Sequence, residues 1–365
     1  MKIGLLGGSF DPIHDGHVLI AKTVKDVLKL DEVWFIPVLN NPFKDRGMAS
    51  GEHRIKMIEI ATRKDDSMKV CDIELKGDPT VKSYTYHTLL KLKDLYKEHD
   101  FYYIIGADQV EKFHLWYEAS KISELVQLVC LGRKGYKSSP ENIDQYDMLE
   151  ISYDPIKASS TAVREGNFKH IDKKVIEYFT MNGLYLDGIV STYMSEKRFI
   201  HTKSMAQLAK EIAIANDSDP LKAYVAGMLH DIAKEMDHKK AEKIMNKYYP
   251  DYIHYPEVVW HQWLSCYVSK KVFHIKDKEI LQAIENHTTA STNMSKLDMC
   301  IYCADKYDRS RGYDSSKQIE LCKKDIVEGF KESLKDFYLF SQKKKRDIDP
   351  IFFEIYKKYV EEKNG

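Results

Sequence analysis

The chain has 365 residues, which is more than one hydrophobic core usually supports, so two domains are expected. Its 56 lysines and arginines balance 56 aspartates and glutamates, and this neutrality excludes the global positive field of a general nucleic-acid-binding protein. Six scattered cysteines make no disulfide framework, and neither a signal peptide nor an apolar run of spanning length is visible, so a cytoplasmic protein is predicted.

From the first residue to about residue 187, short apolar β-rich runs alternate with helical patterns. Strands are predicted at residues 3–6, 33–38, 70–75, 101–105, 125–131 and 148–153, with helices such as 17–28, 51–63 and 84–96 between them. Strands that alternate with helices and lack a polar face are typical of a parallel sheet covered on both sides. Residues 1–187 are therefore predicted to form an α/β doubly wound domain, whose ligands bind beyond the C-terminal ends of the strands.

The stretch GGSFDPIHDGH follows the first predicted strand and leads into the first predicted helix. Gly7 and Gly8 allow a sharp turn and expose backbone N–H groups where a Cβ would obstruct a phosphate. The helix is expected to begin near Asp15, which places its positive dipole end at the same point. Because His14 and His17 are three residues apart across this helix start, both imidazoles can face one side. The stretch predicts an anion-binding site.

A second candidate for anion binding is the stretch SSTAVR at residues 159–164. Ser159, Ser160 and Thr161 can cap a helix, and Arg164 lies one turn later with its guanidinium on the same side. In isolation, an ordinary capped helix with a surface arginine is an equally good interpretation. Together with the first stretch, it predicts a second phosphate clamp at the same edge of the sheet.

After about residue 190 the β-rich runs stop and helical periodicity continues through the rest of the chain. Helices are predicted at residues 195–215, 220–234, 239–248, 260–273, 278–285 and 296–309, and again beyond residue 318. We expect an all-α domain over residues 190–342 and a helical tail over residues 343–365 that packs on it.

Four histidines and two aspartates are spread over successive helices of this second half: His201, His230, Asp231, His261, His287 and Asp305. Neutral imidazole and carboxylate are usual ligands of Mn, Fe and Zn. The adjacent pair of His230 and Asp231 would let one carboxylate bridge two ions. The second half is therefore predicted to hold one or two divalent metal ions.

The first half resembles a known family of enzymes. GSFDPIHDGH resembles the (H/T)xGH signature of the nucleotidyltransferase superfamily, and its nicotinate-nucleotide adenylyltransferase branch is similar throughout residues 1–187. Supporting motifs are FIPVLNNPFK at 35–44, SYTYHTL at 83–89, IIGADQ at 104–109 and the pair Trp116–Tyr117. The resemblance implies that AMP passes from ATP, accompanied by Mg²⁺, to nicotinate mononucleotide, giving deamido-NAD and pyrophosphate. Because Phe43 stands where the family usually has a histidine, nicotinamide mononucleotide and phosphopantetheine remain alternative acceptors.

This resemblance also implies roles for individual residues. His14, His17 and Arg164 would be catalytic. The nucleotide would be bound by Gly7, Gly8, Ser9, Phe10, Lys44, Gly106, Asp108, Ser160 and Thr161. Tyr84 and Thr85 would line the acceptor site and Trp116 would stack on the pyridine ring, although packing in the core is the alternative role for each aromatic residue.

The second half is similar to the HD phosphohydrolase superfamily, and most of all to the bacterial hydrolases that cleave diadenosine tetraphosphate symmetrically. The similarity lies in AGMLHDIAK at 226–234, HTTASTNMSKLD at 287–298 and ADKYDRSR at 304–311. It implies one ion held by His201, His230, Asp231 and Asp305, and a second completed by His261 and His287 with Asp231 bridging. Iron is the metal expected first, with Mn and Zn as alternatives.

Further roles follow from this second resemblance. Asp231 and Lys234 would be catalytic, Arg309 and Arg311 would contact substrate phosphates, and a metal-activated water would attack a β-phosphate to give two ADP. Gln262 stands where members tend to have glycine and could narrow the pocket, so another nucleotide phosphohydrolase or a non-catalytic regulatory module remains an alternative. The two halves together predict a bifunctional enzyme of small nucleotides, with no nucleic-acid or membrane partner and with its oligomeric state left open.

Overall fold

The computed structural model describes residues 1–39, 47–77, 84–133 and 139–362. The chain divides into two compact units, Met1–Val175 and Ile176–Gly365. This division lies upstream of the junction predicted near residue 187, because that segment contacts helices of the second half. The Tyr224 hydroxyl donates a hydrogen bond to Asp187 at 3.3 Å, for example. No helix in the described part of the chain is long and apolar enough to cross a membrane.

The first unit contains a six-stranded sheet in which each adjacent pair of strands is parallel. Its strands are β1 Lys2–Gly8, β2 Glu32–Pro37, β3 Met68–Val70, β4 Asp100–Gly106, β5 Gln127–Arg133 and β6 Leu149–Tyr153. The predicted α/β fold is confirmed. The third strand was predicted too late in the chain, because pairing with β2 ends at Val70 and the backbone then folds into turns, with Gly77 N–H donating to the Glu74 carbonyl.

Six helices connect these strands in the described part of the chain: α1 Asp15–Leu28, α2 Gly51–Thr62, α3 Thr85–Leu95, α4 Ala107–Val110, α5 Ala119–Leu125 and α6 Pro140–Gln145. After β6 come α7 Ser160–Arg164 and α8 Lys173–Met181, and the division between the two units falls within α8. The strand order is β3-β2-β1-β4-β5-β6. The first three strands therefore run in order from β1 at the middle of the sheet to β3 at one edge. The last three run from β4, beside β1, to β6 at the other edge. In such a sheet the ligand site lies where the two directions diverge, beyond the C-terminal ends of β1 and β4. Gly8 and Gly106 end these two strands.

The second unit is helical, as predicted. Its helices are α9 Leu186–Val190, α10 Glu196–Ala215, α11 Pro220–Leu229, α12 His238–Tyr248, α13 Glu257–Lys271, α14 Lys278–Asn286, α15 Lys296–Tyr307, α16 Ser316–Lys324, α17 Ile326–Lys343 and α18 Pro350–Tyr356. The helix predicted over residues 220–234 ends early, because tight turns begin at its end, with Ile232 N–H donating to the Leu229 carbonyl. These turns remove His230 and Asp231 from the regular helix. The tail also belongs to this unit, since the Tyr359 hydroxyl accepts from Met294 N–H at 2.9 Å.

Candidate active sites

The last two residues of β1 are glycines that lie close to aromatic side chains. A Cβ on Gly7 would lie 2.8 Å from the Tyr103 hydroxyl, and a Cβ on Gly8 would lie 2.9 Å from the Phe10 ring. Phe10 itself is buried and packs edge-on against His17, with 5.0 Å between the ring centroids. The sharp turn predicted at Gly7 and Gly8 is wrong, because both glycines are the last residues of β1 and pair with Ile36 and Pro37 of β2. The strand ends just before Ser9, and Phe10 has a positive φ of 47°.

The two histidines of the first motif stack on each other where α1 begins. Their ring centroids are 3.8 Å apart, and the backbone N–H of His14 donates to Nδ1 of His17 at 3.3 Å. Burial, assisted by nearby His170, lowers the pKa of His14 to about 4. His14 is therefore a neutral imidazole at physiological pH. Its Nδ1 is buried and has no hydrogen-bond partner among the described residues.

The structure brings together two motifs that are far apart in the sequence, residues 7–17 and residues 159–164. Ser159 caps α7 by accepting from Ala162 N–H at 3.1 Å, as predicted. The Ser160 hydroxyl donates to the Pro12 carbonyl at 2.8 Å. The Arg164 guanidinium donates to the Asp11 carbonyl and, at 3.0 Å, to the hydroxyl of Thr161. A cation and two hydroxyls are thus held against the loop that carries the histidines.

Arg54 also supports this loop and was missed by the sequence analysis. Its side chain is only 2% exposed, and it donates from Nη1 to the Ser9 carbonyl and from Nε to the Ala49 carbonyl, both at 3.0 Å. The signal in the sequence is a charged residue on the apolar face of α2, one turn before the buried residues Met57 and Ile58. Arg54 connects α2 to the phosphate loop.

A cavity of about 370 Å³ lies at the ends of β4 and β5, lined by Ile20, Gly106, Asp108, Leu131 and Tyr153 among others. A Cβ on Gly106 would lie 2.8 Å from the Asp108 carboxylate, so glycine is needed for this carboxylate to turn back over the strand end. The predicted nucleotide contacts Gly106 and Asp108 therefore do line one cavity.

The residues predicted for the acceptor site form an aromatic cluster on the same unit. Tyr84 packs on Tyr117 with 4.8 Å between centroids, and Trp116 packs on Phe113 at 5.2 Å. Burial raises the pKa of Tyr103, which is hydrogen-bonded to Thr85, to about 12. Stacking of Trp116 on a pyridine ring stays a prediction. Lys44 lies outside the described residues.

In the second unit, the predicted metal ligands converge. One group brings together His201, His230 and Asp231, and the other Asp231, His261 and His287. Asp305 joins the first group, with its Oδ1 3.2 Å from His201 Nε2 and 3.8 Å from His230 Nε2. Asp231 belongs to both groups, which is the arrangement predicted for a bridging carboxylate.

Backbone carbonyls orient three of the four imidazoles. His230 Nδ1 donates to Gly227 O at 2.6 Å, His261 Nδ1 to Val258 O at 2.9 Å and His287 Nδ1 to Ile284 O at 2.7 Å. Each bond runs to the residue three positions earlier and leaves Nε2 facing the centre of the group. A histidine held in this way presents its second nitrogen as a metal ligand.

Asp308 does the same for His201 and was not among the predicted residues. Its Oδ2 accepts from His201 Nδ1 at 3.0 Å, and the hydroxyls of Ser204 and Ser310 donate to the same carboxylate. Burial alone would lower the pKa of His201, but hydrogen bonds to Asp305 and Asp308 raise it to about 9. The carboxylate of Asp308 is fully buried.

The donor set fits a divalent transition metal. His230 Nε2 is buried without a hydrogen-bond partner in the described part of the chain, and such a nitrogen calls for a ligand. The Nε2 atoms of His261 and His287 lie 3.1 Å apart, and Asp231 Oδ1 lies 3.3 and 3.6 Å from them. Donors that share one ion at about 2.1 Å are separated by about 3.0–3.4 Å, close to these values. Burial also lowers the pKa of His230 to about 4, which keeps it in the neutral form that binds metal.

Cationic side chains surround this centre. Arg198 Nη1 lies 2.9 Å from Asp231 Oδ2, Arg311 Nη2 lies 2.6 Å from Asp305 Oδ1, and Lys234 Nζ lies 2.9 Å from His261 Nε2. Arg309 differs from the prediction: its guanidinium pairs with Glu211 at 3.0 Å, so it does not face the cavity that Arg311 lines. Arg198 lies on α10, three residues before His201, and was not among the predicted site residues.

Gln262 supports the metal-ligand group from outside and is not one of its members. The residue is fully buried, and its Oε1 accepts from the backbone N–H groups of Thr288 and Thr289 at 3.3 and 3.2 Å. The Thr288 hydroxyl in turn lies 2.9 Å from both His261 Nε2 and His287 Nε2. Gln262 therefore supports the turn after His287.

Comparison with known proteins agrees with this geometry. Residues 5–166 match the model of the cytidylyltransferase-like family, and residues 198–310 match that of the HD domain. A Mycoplasma genitalium protein named "Probable nicotinate-nucleotide adenylyltransferase/Ap4A hydrolase" is 33% identical over 345 residues, which cover 94% of this chain and 97% of the relative. The chain belongs to this two-domain family.

Two further relatives extend the comparison. A Mycoplasma pneumoniae protein of the same name is 29% identical and covers 91% of this chain and 97% of its own. A "Probable nicotinate-nucleotide adenylyltransferase" of Oceanobacillus iheyensis is 42% identical over 164 residues, covering 45% of this chain and 83% of its own. Members of the two-domain family thus share both units, and the single-domain relative matches the first half alone. The family membership predicted from the sequence is confirmed for both halves.

Proposed function

We propose that the chain is a bifunctional enzyme. The first unit transfers AMP from ATP to nicotinate mononucleotide, and the second hydrolyses diadenosine tetraphosphate symmetrically to two ADP. The observation that carries this proposal is the presence of two complete and separate clusters. His14 and His17 stack where α1 begins, and Arg164 binds the Asp11 carbonyl of the loop that precedes them. Four imidazoles and two carboxylates converge among the helices of the second unit. The relatives' names support both activities.

In the first unit, the phosphate of nicotinate mononucleotide attacks the α-phosphorus of ATP in line. A new P–O bond forms while the bond to the bridging oxygen breaks, and pyrophosphate leaves with the electron pair. Catalysis of this kind depends on positioning and charge stabilisation rather than on a covalent enzyme intermediate. His14 and His17, held together at the start of α1, stabilise the charge that develops on the phosphate oxygens. Arg164, with Ser160 and Thr161, neutralises the leaving pyrophosphate, and Mg²⁺ arrives with ATP as part of the substrate.

In the second unit, His201, His230, Asp231 and Asp305 would hold one divalent ion, and His261 and His287 would complete a second with Asp231 shared. Bound there, a divalent transition metal supplies Lewis-acid polarisation of a phosphoryl oxygen and a lowered pKa for water. Iron is the metal we propose, with Mn and Zn as alternatives. The protein's own part is to fix each Nε2 through its Nδ1–H bond and to hold phosphates with Arg198, Arg311 and Lys234. We also propose a cytoplasmic location, since none of the six cysteines forms a disulfide.

A substrate panel on the purified chain tests both activities. ATP is supplied with nicotinate mononucleotide, nicotinamide mononucleotide or phosphopantetheine, and pyrophosphate release is followed; diadenosine tetraphosphate is supplied separately, and ADP is measured. His17→Ala should lower adenylyl transfer by about 10²–10³-fold, the loss found when one charge-stabilising donor is removed, without changing hydrolysis. His230→Ala should abolish hydrolysis without changing adenylyl transfer. Release of pyrophosphate that is independent of His17, or hydrolysis that survives His230→Ala, contradicts the corresponding half of the proposal.

A further inference from the structure

A cavity of about 670 Å³ opens beside the metal-ligand group of the second unit. His201 lies in its wall, so the cavity reaches the proposed centre directly. Three cations line it, Lys197, Arg198 and Arg311, together with the carboxylates Glu196 and Glu235 and two exposed apolar side chains, Ile200 and Tyr313. Because the cations outnumber the carboxylates and apolar side chains are also present, the cavity suits a ligand that has both an anionic and an apolar part.

Tyr313 is exposed but held in place. Gly312 precedes it with φ of 81°, a left-handed conformation that turns the chain after the short 3-10 helix Arg309–Arg311. The Tyr313 hydroxyl donates to the Lys306 carbonyl, yet 52% of the side chain is exposed. A ring that is fixed at both ends and open on its face loses little conformational freedom when a planar group stacks on it.

Ile200 adds a second apolar contact to the same cavity. It lies on α10 directly before His201 and is 56% exposed. A single exposed apolar side chain needs no explanation. Ile200 and the Tyr313 ring line the same cavity next to the ligand group, and together they indicate a site for a nucleobase.

Two of the cations that line the cavity also contact carboxylates of the ligand group. Arg198 contacts Asp231 at 2.9 Å, and Arg311 contacts the Asp305 carboxylate at 2.6 Å and its carbonyl at 2.5 Å. A guanidinium has five N–H donors, and these contacts use only some of them. Each arginine can therefore bind a phosphate oxygen while it keeps its carboxylate partner.

We propose that this cavity binds one nucleoside diphosphate half of the substrate, with the base stacked on Tyr313 and packed against Ile200, and with the phosphates on Arg198 and Arg311. This inference rests on the hydrolase function proposed above and adds the residue that selects nucleotides over simple phosphates. Tyr313 lies beyond residues 198–310, the segment matched by the HD domain family, so membership of that family does not identify it.

The test measures ADP and inorganic tripolyphosphate as competitive inhibitors of diadenosine tetraphosphate hydrolysis by the full chain. Tyr313→Ala should raise the inhibition constant of ADP and the KM of the substrate by roughly 5- to 150-fold, the range for one base stacked on an aromatic side chain. The inhibition constant of tripolyphosphate, which has no base, should not change. Tyr313→Phe keeps the ring and should retain most of the affinity for ADP. Phe353→Ala removes an aromatic side chain of similar exposure, 49%, outside the cavity and serves as the matched control.

Adenylyl transfer by the first unit reports the concentration of each variant, and an unchanged inhibition constant for tripolyphosphate reports that the second unit is folded. If Tyr313→Ala weakens inhibition by ADP and by tripolyphosphate equally, or weakens neither, the base-stacking role is overturned even when hydrolysis is present. A wild-type chain that hydrolyses no dinucleoside polyphosphate refutes the proposed function instead. The stacking role is then tested by calorimetric titration of ADP. The chain that carries His17→Ala is compared with the chain that carries both His17→Ala and Tyr313→Ala. The second substitution must weaken ADP binding by roughly 5- to 150-fold.

Discussion

At the scale of single residues, Gly16 illustrates how a missing Cβ makes room for His14, the side chain proposed to be catalytic. A Cβ there would lie 3.0 Å from both Cε1 and Nδ1 of His14 and 3.5 Å from the Cβ of Ala158. Gly16→Ala should therefore displace the His14 imidazole and lower the kcat/KM of adenylyl transfer by about 10–100-fold, since small misplacements of catalytic groups have effects of this size. Alanine favours the helix by about 0.5–1 kcal/mol, so the melting temperature should not fall. Diadenosine tetraphosphate hydrolysis is the internal control, and an unchanged rate of adenylyl transfer would show that His14 can move without loss.

The burial of His14 also makes the stability of the first unit depend on pH. Its folded pKa of about 4 lies below the usual histidine pKa of 6.5, so between these pH values the unfolded chain binds a proton that the folded chain excludes. The free energy of unfolding therefore falls as the pH decreases from 6.5 towards 4, by about 2 kcal/mol at pH 5 for this group. Urea unfolding of the wild type and of His14→Gln, followed by tryptophan fluorescence, measures the difference between their free energies of unfolding. This difference should change by about 2 kcal/mol between pH 7.5 and pH 5. Parallel pH dependence in both proteins contradicts a buried neutral His14.

At the scale of elements, the sequence predicted those parts of the sites that lie in one contiguous stretch. The pair His14 and His17 and the cap at Ser159 were predicted correctly because spacing within a helix start determines them. Arg54 and Asp308 were missed because their partners, the Ser9 carbonyl and the His201 imidazole, are distant in sequence. Periodicity identifies which face of a helix is buried but not which polar group that face will meet.

Arg309 shows the same limit of sequence-based prediction, here for a residue that was predicted rather than missed. In the sequence it is equivalent to Arg311, since both are basic and follow Asp305 closely. The short 3-10 helix Arg309–Arg311 separates them, so that Arg311 reaches Asp305 while Arg309 pairs with Glu211 on α10. Only the turn geometry decides which of the two arginines faces the cavity.

The link between α2 and the phosphate loop leads to a prediction about Arg54. Arg54→Met should leave the carbonyls of Ser9 and Ala49 without their donor, and it should destabilise the first unit by about 1–3 kcal/mol. Adenylyl transfer should decrease because Ser9 belongs to the turn that binds phosphate. Arg54→Lys keeps the charge but cannot span both carbonyls with a planar fork, so its effect should be intermediate. Thermal unfolding and the kcat/KM of adenylyl transfer measure the two effects, and a fully active, equally stable Arg54→Met would remove Arg54 from the site.

At the scale of the whole molecule, the two compact units each carry one complete candidate site. The groups that define the first are His14, His17 and Arg164, and those of the second are the imidazoles and carboxylates between His201 and Asp305. Each unit has its own buried apolar core, as Leu5 and Phe35 illustrate in the first and Leu229 and Ile301 in the second. A perturbation can therefore be directed at one activity while the other is measured in the same sample.

Metal removal applies this separation most directly. After chelation and dialysis, Mg²⁺ alone should restore adenylyl transfer, whereas hydrolysis should return only when Fe²⁺, Mn²⁺ or Zn²⁺ is added, because buried imidazoles favour these ions over Mg²⁺. The same addition should stabilise the second unit alone, since an ion at 100 times its dissociation constant contributes about 2.7 kcal/mol to the folded state. Differential scanning calorimetry and elemental analysis of metal content measure both effects, with His230→Ala as the variant that should not respond. Hydrolysis by the chelated protein in Mg²⁺ alone would show that the ligand group of four imidazoles and two carboxylates is not the hydrolytic centre.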